Sequence, residues 1–265
     1  MYVGVQGIGT SRHELHFLLR HGVTHMDTQI DPDNLDLIAR QREEAAAEGV
    51  DLEMMHIPLP ESITFANDSQ RDRDLDTLCS WIEAAGKADL RGLNYNFTVV
   101  GYQRTPNRYG RGGSIYSSFE FDKYDNDEPH PGGRIDRDEM FARISYFLER
   151  VIPVAEEYKV QMGCHPSDPG IGQGNTYRGV ARPLGMPQGF KKFIDLYDSP
   201  YNGLNFCQGC MSEALENPGE EIFDVIRYFG ERKKIFNVHF RNIKGGLNNF
   251  SEVFPDEGDI DMLRA

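Results

Sequence analysis

Short apolar runs alternate with helical patterns along the whole of this chain. Seven runs have the character of strands, at 2–5, 23–26, 52–56, 92–96, 160–165, 203–207 and 235–239. Such an alternation favours parallel pairing of the strands through right-handed helical crossovers. The 265 residues also match the length of an α/β barrel, which commonly takes about 250 residues. We therefore predict an α/β fold of the TIM-barrel type, with seven of its eight strands visible and with residues 1–265 as one, C-terminally incomplete domain.

Helical patterns fill the intervals between these runs. Ser11 and Glu14 have the spacing of a capping box at the start of one such pattern. The pattern at 136–158 contains Pro153, which we expect to kink or break the helix because proline removes a backbone donor. The remaining patterns lie at 35–48, 72–88, 188–197 and 220–229.

One long segment, 101–133, departs from the alternation. It is rich in tyrosine and arginine among Gly, Pro, Asn and Asp, and it has neither a helical nor a strand period. A loop of this length in a compact domain usually has a function or is disordered. Because it follows the fourth strand, it would lie on the active face of a barrel, as a cap or as a contact between subunits. A mobile surface insertion is the alternative.

The charge and hydropathy of the chain exclude several kinds of partner. A formal net charge of −14 argues against binding to nucleic acid or to an anionic membrane, since both need a basic surface. It still allows a small anionic substrate. No stretch approaches the roughly 20 apolar residues of a membrane span, and the N-terminus lacks the pattern of a signal peptide. We expect a cytoplasmic protein.

The chain has 4 cysteines, and two of them form a CxxC motif. A disulfide scaffold is not expected in a chain of this size without a secretory signal. Cys207 and Cys210 make up the motif, which is typical of redox sites and zinc ribbons. A zinc ribbon needs a second pair, and a redox CxxC belongs to a smaller fold. We therefore interpret Cys210 as incidental.

Three potential metal ligands follow three successive strands. His165, Cys207 and His239 each stand where an apolar run ends. The carboxyl ends of barrel strands converge on one face, which carries the active site. Imidazole and thiolate are good ligands for Mn, Fe or Zn. Any one of these residues alone would more simply be a packed side chain, but three in register predict a transition-metal site.

Four further residues on the same rim are candidates for binding substrate. Arg241 could hold a carboxylate through two parallel hydrogen bonds. Asn96 could bind a polyol or satisfy backbone groups, and Asp168 could contact a substrate or simply begin an Asp-Pro turn. His56 could face the substrate or be a partly buried histidine.

Several ordered sequence blocks resemble the mannonate dehydratases, metal-dependent barrel enzymes of the xylose-isomerase-like group. The resemblance runs from near the N-terminus to Ala265. The blocks are Tyr95-Asn96-Phe97, Ile152-Pro153-Val154-Ala155-Glu156-Glu157, His165-Pro166-Ser167-Asp168-Pro169, Asn205-Phe206-Cys207-Gln208-Gly209, Asn237-Val238-His239-Phe240-Arg241-Asn242 and Gly258-Asp259-Ile260-Asp261-Met262.

The resemblance implies a hydro-lyase of carbohydrate metabolism. Such an enzyme dehydrates D-mannonate to 2-dehydro-3-deoxy-D-gluconate in hexuronate (glucuronate) catabolism, using Mn²⁺ or Fe²⁺. By matching motif, His165, Cys207 and His239 would be metal ligands. Arg241 would hold the carboxylate or orient a hydroxyl group of this small sugar acid. A homo-oligomer is expected for the group, with contacts in segment 101–133.

The resemblance also implies residues that this chain does not supply. The family pattern has an Asp ligand in a block on the eighth strand, and a catalytic Tyr beyond it, and the sequence ends before that block. Asp259 and Asp261 belong to a separate block and are not expected to replace the ligand. Two alternatives therefore stay open: a metal-dependent sugar isomerase or epimerase of the same barrel group, and a catalytically inactive or truncated relative.

Overall fold

The computed structural model describes residues 2–172 and 174–265, with the side chain of Asp68 left aside. Seven parallel strands form one sheet, and their spatial order follows the chain. They are β1 (Gly4–Val5), β2 (His25–Gln29), β3 (Asp51–His56), β4 (Gly92–Asn96), β7 (Gln161–His165), β8 (Asn202–Cys207) and β9 (Ile235–His239). The α/β half-barrel predicted from the sequence is thus confirmed. The intervening strands are β5 (Thr105–Tyr109) and β6 (Ile115–Glu120), and β10 (Asn242–Gly246) and β11 (Asn249–Val253) follow.

Eight α-helices within the described residues complete the crossovers and the loops. They are α1 (Arg12–Arg20), α2 (Leu37–Ala47), α3 (Glu61–Phe65), α4 (Asp68–Lys87), α5 (Arg137–Tyr158), α6 (Pro187–Leu196), α7 (Gln208–Glu213) and α8 (Pro218–Glu231). The capping box of α1 forms as predicted, with Ser11 and Glu14 each accepting a backbone N–H of the other. Pro153 does not break α5, which continues across it. The buried neighbours Val151, Ile152 and Ala155 hold this turn against the core.

The core of the half-barrel lies between its sheet and the outer helices. All six residues of β8 are buried, as expected for a parallel strand covered on both faces. The ring of Phe147 on α5 lies 5.2 Å from that of Tyr95 and 5.4 Å from that of Phe97. The ring of Phe206 on β8 likewise lies 6.3 Å from the ring of Phe229 on the outer helix α8. These contacts fix the carboxyl ends of the central strands. None of the described helices is both long and apolar enough to cross a bilayer.

Segment 101–133 contains two strands, so the expectation of a segment without strand structure was wrong. Strands β5 and β6 pair antiparallel, and β6 also pairs with β11 of a hairpin close to the C-terminus. The order of this second sheet is β10-β11-β6-β5. Strand β5 was not predicted from the sequence because it reads Thr-Pro-Asn-Arg-Tyr. It has no buried residue and therefore no alternation of apolar and polar side chains.

Aromatic side chains form the inner face of the antiparallel sheet. Phe119 of β6 and Phe250 of β11 are both completely buried, with their ring centroids 6.0 Å apart. Tyr177 lies 6.0 Å from Phe119 and is also fully buried. Aromatic rings at these separations contribute large buried areas to stability. The antiparallel sheet is therefore held against the rest of the protein by completely buried aromatic side chains.

This packing predicts a large effect of truncating Phe250. Phe250→Ala should lower the free energy of unfolding by about 3–5 kcal/mol, because a fully buried ring is replaced by a cavity. Tyr109→Ala is the matched control, since Tyr109 belongs to the same sheet but is 81% exposed. Urea titration followed by circular dichroism measures both. Equal losses in the two variants would show that the aromatic cluster does not hold the sheet.

Candidate metal centre

The parallel register of the half-barrel brings the predicted residues to one edge. Cys207 and His239 are direct neighbours across the ladder between β8 and β9. His165 is likewise paired with Asn96 between β7 and β4. His56 ends β3, one strand beyond β4. All five therefore stand at carboxyl ends of strands, where the barrel architecture places active sites.

His165 and His239 face each other through their ring nitrogens. Nε2 of His165 lies 3.2 Å from Nδ1 of His239. The other nitrogen of His165, Nδ1, lies 2.7 Å from the carbonyl oxygen of Pro166. A carbonyl oxygen only accepts, so Nδ1 carries the proton and Nε2 presents a lone pair. This backbone contact fixes the tautomer that a metal ligand needs.

Cys207 completes a trio of donors with the two histidines. The thiol is buried, and its sulfur accepts a hydrogen bond from the backbone N–H of Cys210 at 3.4 Å. The pKa of the Cys207 thiol is held well below its usual value by its contact with the side chain of Cys210 and, against the effect of burial, by its contacts with His165 and His239 and by the charge of Arg241. The thiolate is the metal-binding form of cysteine.

The donor set and its spacing fit a divalent transition metal. Two nitrogens that each lie 2.0–2.1 Å from one tetrahedral ion are about 3.4 Å apart, close to the separation of the imidazole nitrogens. The other ring nitrogen of His239, Nε2, is buried and has no hydrogen-bond partner among the described residues, so it too is available as a donor atom. Two imidazoles and a thiolate suit Mn, Fe or Zn.

A second group of donors adjoins the trio and includes a residue that the sequence analysis missed. Ligand atoms of Asp27, His56 and His239 all lie within 4.8 Å of one another. Oδ2 of Asp27 is 3.4 Å from Nε2 of His56, and Oδ1 accepts the backbone N–H of Gly7 at 3.0 Å. Nε2 of His56 also lies 2.8 Å from Nε2 of Gln6. The sequence signal for Asp27 was its position directly after the strand-like run at 23–26, like that of the three predicted ligands after theirs.

Beside the donors lies a network of charges that are buried or partly buried, which we call the arginine–carboxylate cluster. Its members are Arg104, Asp168, Glu213, Arg241 and Glu252. Arg104 holds Asp168 through two nitrogens, with Nη2 at 3.1 Å from Oδ2. Nη1 of Arg241 lies 2.9 Å from Oε1 of Glu252, and its Nη2 contacts Glu213. The sequence analysis singled out Asp168 and Arg241 but missed the other three, which come from distant segments.

Electrostatics within the cluster differ from one carboxylate to the next. Burial raises the pKa of Glu213 well above its usual value, against the opposing charges of Arg241 and Arg104. Burial would also raise the pKa of Asp168, but the hydrogen bond from Arg104 and the charge of Arg241 lower it below its usual value. Asp168 thus stays ionised and engaged. Arg241 is already paired with Glu213 and Glu252, so it could hold a substrate carboxylate only by releasing one of these two carboxylates.

The other predicted substrate contact, Asn96, lies at the solvent-exposed end of β4. Its neighbour across the ladder is His165, so its side chain stands at the rim of the candidate centre. His56 ends the neighbouring strand β3, and its ring centroid lies 6.2 Å from that of His239. The structure therefore brings Asn96 and His56 to the same edge as the donor trio.

The cluster predicts a strong dependence of stability on Arg104. Arg104→Ala should lower the free energy of unfolding by about 3 kcal/mol, because it leaves buried carboxylates without their main cation. Arg111→Ala is the control, since its pair with Asp256 is exposed and should contribute little. Thermal and urea unfolding of both variants measures the difference. A loss no larger for Arg104→Ala than for the control would mean that the cluster does not stabilise the fold.

Similar solved structures share this fold. The crystal structure of mannonate dehydratase from Streptococcus suis serotype 2 superposes with a TM-score of 0.83 at 23% sequence identity, over 100% of this chain and 80% of that chain. A D-tagatose 3-epimerase-like protein gives a TM-score of 0.60 at 16% identity, over 100% and 84%. The IOLI protein with a zinc atom gives 0.64 at 10% identity, over 100% and 82%. At these identities the likeness concerns the barrel fold.

Sequence comparison is more specific. The chain is 38% identical over 120 residues to mannonate dehydratase of Thermotoga petrophila, a match that covers 45% of this chain and 31% of that protein. It is 32% identical over 135 residues to mannonate dehydratase of Streptococcus equi subsp. zooepidemicus, covering 50% and 35%. The match thus spans about a third of each relative. Residues 132–265, which include the donor trio, match the family model of D-mannonate dehydratase (UxuA). The chain therefore belongs to the mannonate dehydratase (UxuA) family.

Proposed function

We propose that this chain forms the metal-binding part of a hydro-lyase that converts D-mannonate to 2-dehydro-3-deoxy-D-gluconate in glucuronate catabolism. The observation that carries the proposal is the convergence of His165, Cys207 and His239 at one edge of the half-barrel. Family membership supports the substrate class, a small sugar acid. The acidic surface of the chain does not oppose an anionic substrate, because local charge at the site decides its binding.

His165, Cys207 and His239 would hold the ion, Mn²⁺ or Fe²⁺. When bound, the ion supplies Lewis-acid assistance to loss of a hydroxyl group and absorbs charge next to a carboxylate. The chain prepares these ligands in advance. Pro166 fixes the tautomer of His165, and Cys207 is held as a thiolate in a buried site. Preorganised ligands reduce the cost of binding.

Four rim residues would bind the sugar acid. Arg241 is proposed to hold the substrate carboxylate by exchanging Glu252, which lies on the hairpin of the second sheet. Asp168 keeps Arg104 and Arg241 in place through its two oxygens. His56 and Asn96, at the ends of the neighbouring strands β3 and β4, would hydrogen-bond hydroxyl groups of the substrate. In this arrangement Arg241 would bind the carboxylate end of the sugar acid, and His56 and Asn96 would bind its hydroxyl groups.

We also propose a cytoplasmic, homo-oligomeric enzyme. All four cysteines are free, and the candidate centre needs its thiolate reduced. Reduced thiols of this kind persist in reducing compartments. The exposed side chains of Tyr102 and Tyr109, in segment 101–133, would take part in contacts between subunits.

Turnover tests the proposed reaction directly. Full-length protein, purified anaerobically under reducing conditions with Mn²⁺ or Fe²⁺ added, should form the keto-deoxy acid from D-mannonate. Cys207→Ala should abolish product formation because the thiolate ligand is lost. Cys79→Ala should not, since Cys79 lies on α4 and hydrogen-bonds to the carbonyl oxygen of Arg150 in the helical layer. Proton NMR of the reaction mixture measures the product.

The same assay separates the competing functions. Conversion of neutral ketoses without dehydration of aldonates would replace the proposal by an isomerase or epimerase. Stoichiometric metal binding without turnover of either substrate would indicate a catalytically inactive relative.

Metal binding should also stabilise the fold. At a free metal concentration of 100 times Kd, the free energy of unfolding should rise by about 2.7 kcal/mol through mass action. His239→Ala should lose this increment, whereas His13→Ala, which replaces an exposed histidine of α1, should retain it. Thermal unfolding with and without a chelator measures the effect. An equal response in both variants would place the ion away from His239.

A further inference from the structure

Two cysteine sulfurs lie next to each other at the carboxyl end of β8, although the sequence analysis interpreted Cys210 as incidental. Cys207 ends this strand, and Cys210 lies in the first turn of α7 directly after it. Their sulfurs are within 4.8 Å of each other. We propose that the pair is a modification site, at which oxidation joins Cys207 and Cys210 in a reversible disulfide. Formation of the disulfide does not depend on the proposed function, whereas its effect on metal binding does.

The short CxxC turn brings the two side chains together. Cys207 is the N-terminal cap of α7, and its sulfur accepts the backbone N–H of Cys210 at 3.4 Å. The Cys207 sulfur is thus already folded back over the turn that carries Cys210. Two intervening residues are also the spacing of the CxxC motifs that form redox-active disulfides. The sulfurs must approach to about 2.05 Å, which rotation of the two side chains achieves.

Polar neighbours hold the Cys210 thiol in place. Its S–H points at Oδ2 of Asp168, 3.4 Å away, and its sulfur accepts a hydrogen bond from Nη2 of Arg241 at 3.5 Å. The Asp168 carboxylate is therefore placed to accept the thiol proton when the sulfur forms a new bond. A thiol held beside another cysteine in this way is the arrangement of a resolving cysteine.

Hydrogen peroxide is a small oxidant that suits a buried pair. Cys207 reacts first, because it is 3% exposed whereas Cys210 is completely buried. Its sulfur attacks one peroxide oxygen, so that a sulfur–oxygen bond forms, the oxygen–oxygen bond breaks and hydroxide leaves. The sulfur of Cys210 then attacks that of Cys207, forming the disulfide and breaking the sulfur–oxygen bond. The thiol proton leaves with the hydroxyl group as water. The two sulfurs together lose two electrons, and the peroxide is reduced to hydroxide and water.

The other two cysteines serve as internal references. Cys164 precedes His165 on β7, and successive side chains of a strand point to opposite faces, so Cys164 faces away from the donors. Cys79 lies on α4 and hydrogen-bonds to the carbonyl oxygen of Arg150. Both should stay reduced while the pair is oxidised.

Oxidation would withdraw one member of the donor trio. A disulfide sulfur is no longer a thiolate, and the thiolate is the form of cysteine that binds metal. The oxidised protein should therefore lose bound Mn²⁺, and reduction of the disulfide by a thiol should restore binding. His165 and His239 are unchanged by this step, so the loss is reversible.

Counting thiols tests the modification site without an activity assay. The reduced, metal-free protein is exposed to hydrogen peroxide, denatured and alkylated with iodoacetamide. Of its 4 cysteines, only Cys79 and Cys164 should then be alkylated, and the peptide with Cys207 and Cys210 should be lighter by two hydrogen atoms. Dithiothreitol should restore all four thiols. Mass spectrometry measures both states.

Two variants sharpen this test. Cys210→Ser should leave a sulfenic acid on Cys207 that dimedone traps, because the resolving thiol is missing. Cys79→Ser is the matched control and should form the disulfide as the wild type does. Oxidation of wild-type Cys207 with Cys210 still open to alkylation would overturn the proposal, as would 4 free thiols after exposure to peroxide. The wild-type peptide masses decide the matter even if a variant does not fold.

Metal analysis after gel filtration separates this proposal from the proposed function. Mn²⁺ bound by the reduced protein and lost by the oxidised protein supports both. A disulfide that forms in a protein unable to bind Mn²⁺ when reduced would overturn the metal site but support the modification site. Equal Mn²⁺ binding by the oxidised and reduced proteins would show that Cys207 does not hold the ion, and would overturn the link between oxidation and metal binding.

Discussion

The register of the parallel sheet is the constraint on which the candidate centre depends. Side chains alternate between the two faces of a strand, so a slip of one residue would turn every donor away from the site. The ladder between β8 and β9 sets Cys207 beside His239, and that between β4 and β7 sets His165 beside Asn96. Both ladders end at these residues. The residues before them in β4, β7 and β8 are largely buried, and this burial fixes the register.

The second constraint is electrostatic. Burying charged groups costs free energy that is recovered only if every charge is paired. The arginine–carboxylate cluster pairs carboxylates with arginines from five places: the segment before β5, the loop after β7, the end of α7, the loop after β9, and β11. Because Arg104 and Glu252 belong to the region of the antiparallel sheet, the cluster ties that sheet to the metal-binding edge.

The features that could be predicted from the sequence are those that depend on residues close together in the chain. The seven parallel strands, and the meeting of His165, Cys207 and His239 at one edge, were predictable because apolar runs and the residues after them are local features. The pairing of β6 with β11 joins residues more than 125 positions apart, such as Phe119 and Phe250, and polar β5 gives no period to detect. Asp27 and Arg104 were missed for the same reason, since their partners lie on other segments.

Gly209 shows how the two constraints meet in one loop. A Cβ atom at this position would lie 2.1 Å from Nε of Arg241, so any side chain here would displace the guanidinium. The backbone conformation itself does not require glycine, because the constraint is space. Gly209, between Cys207 and Cys210, thus leaves room for Arg241 to approach both the Cys210 thiol and Glu213. Because Cys207 caps α7 at the same turn, this contact links the charge cluster to the metal-binding edge.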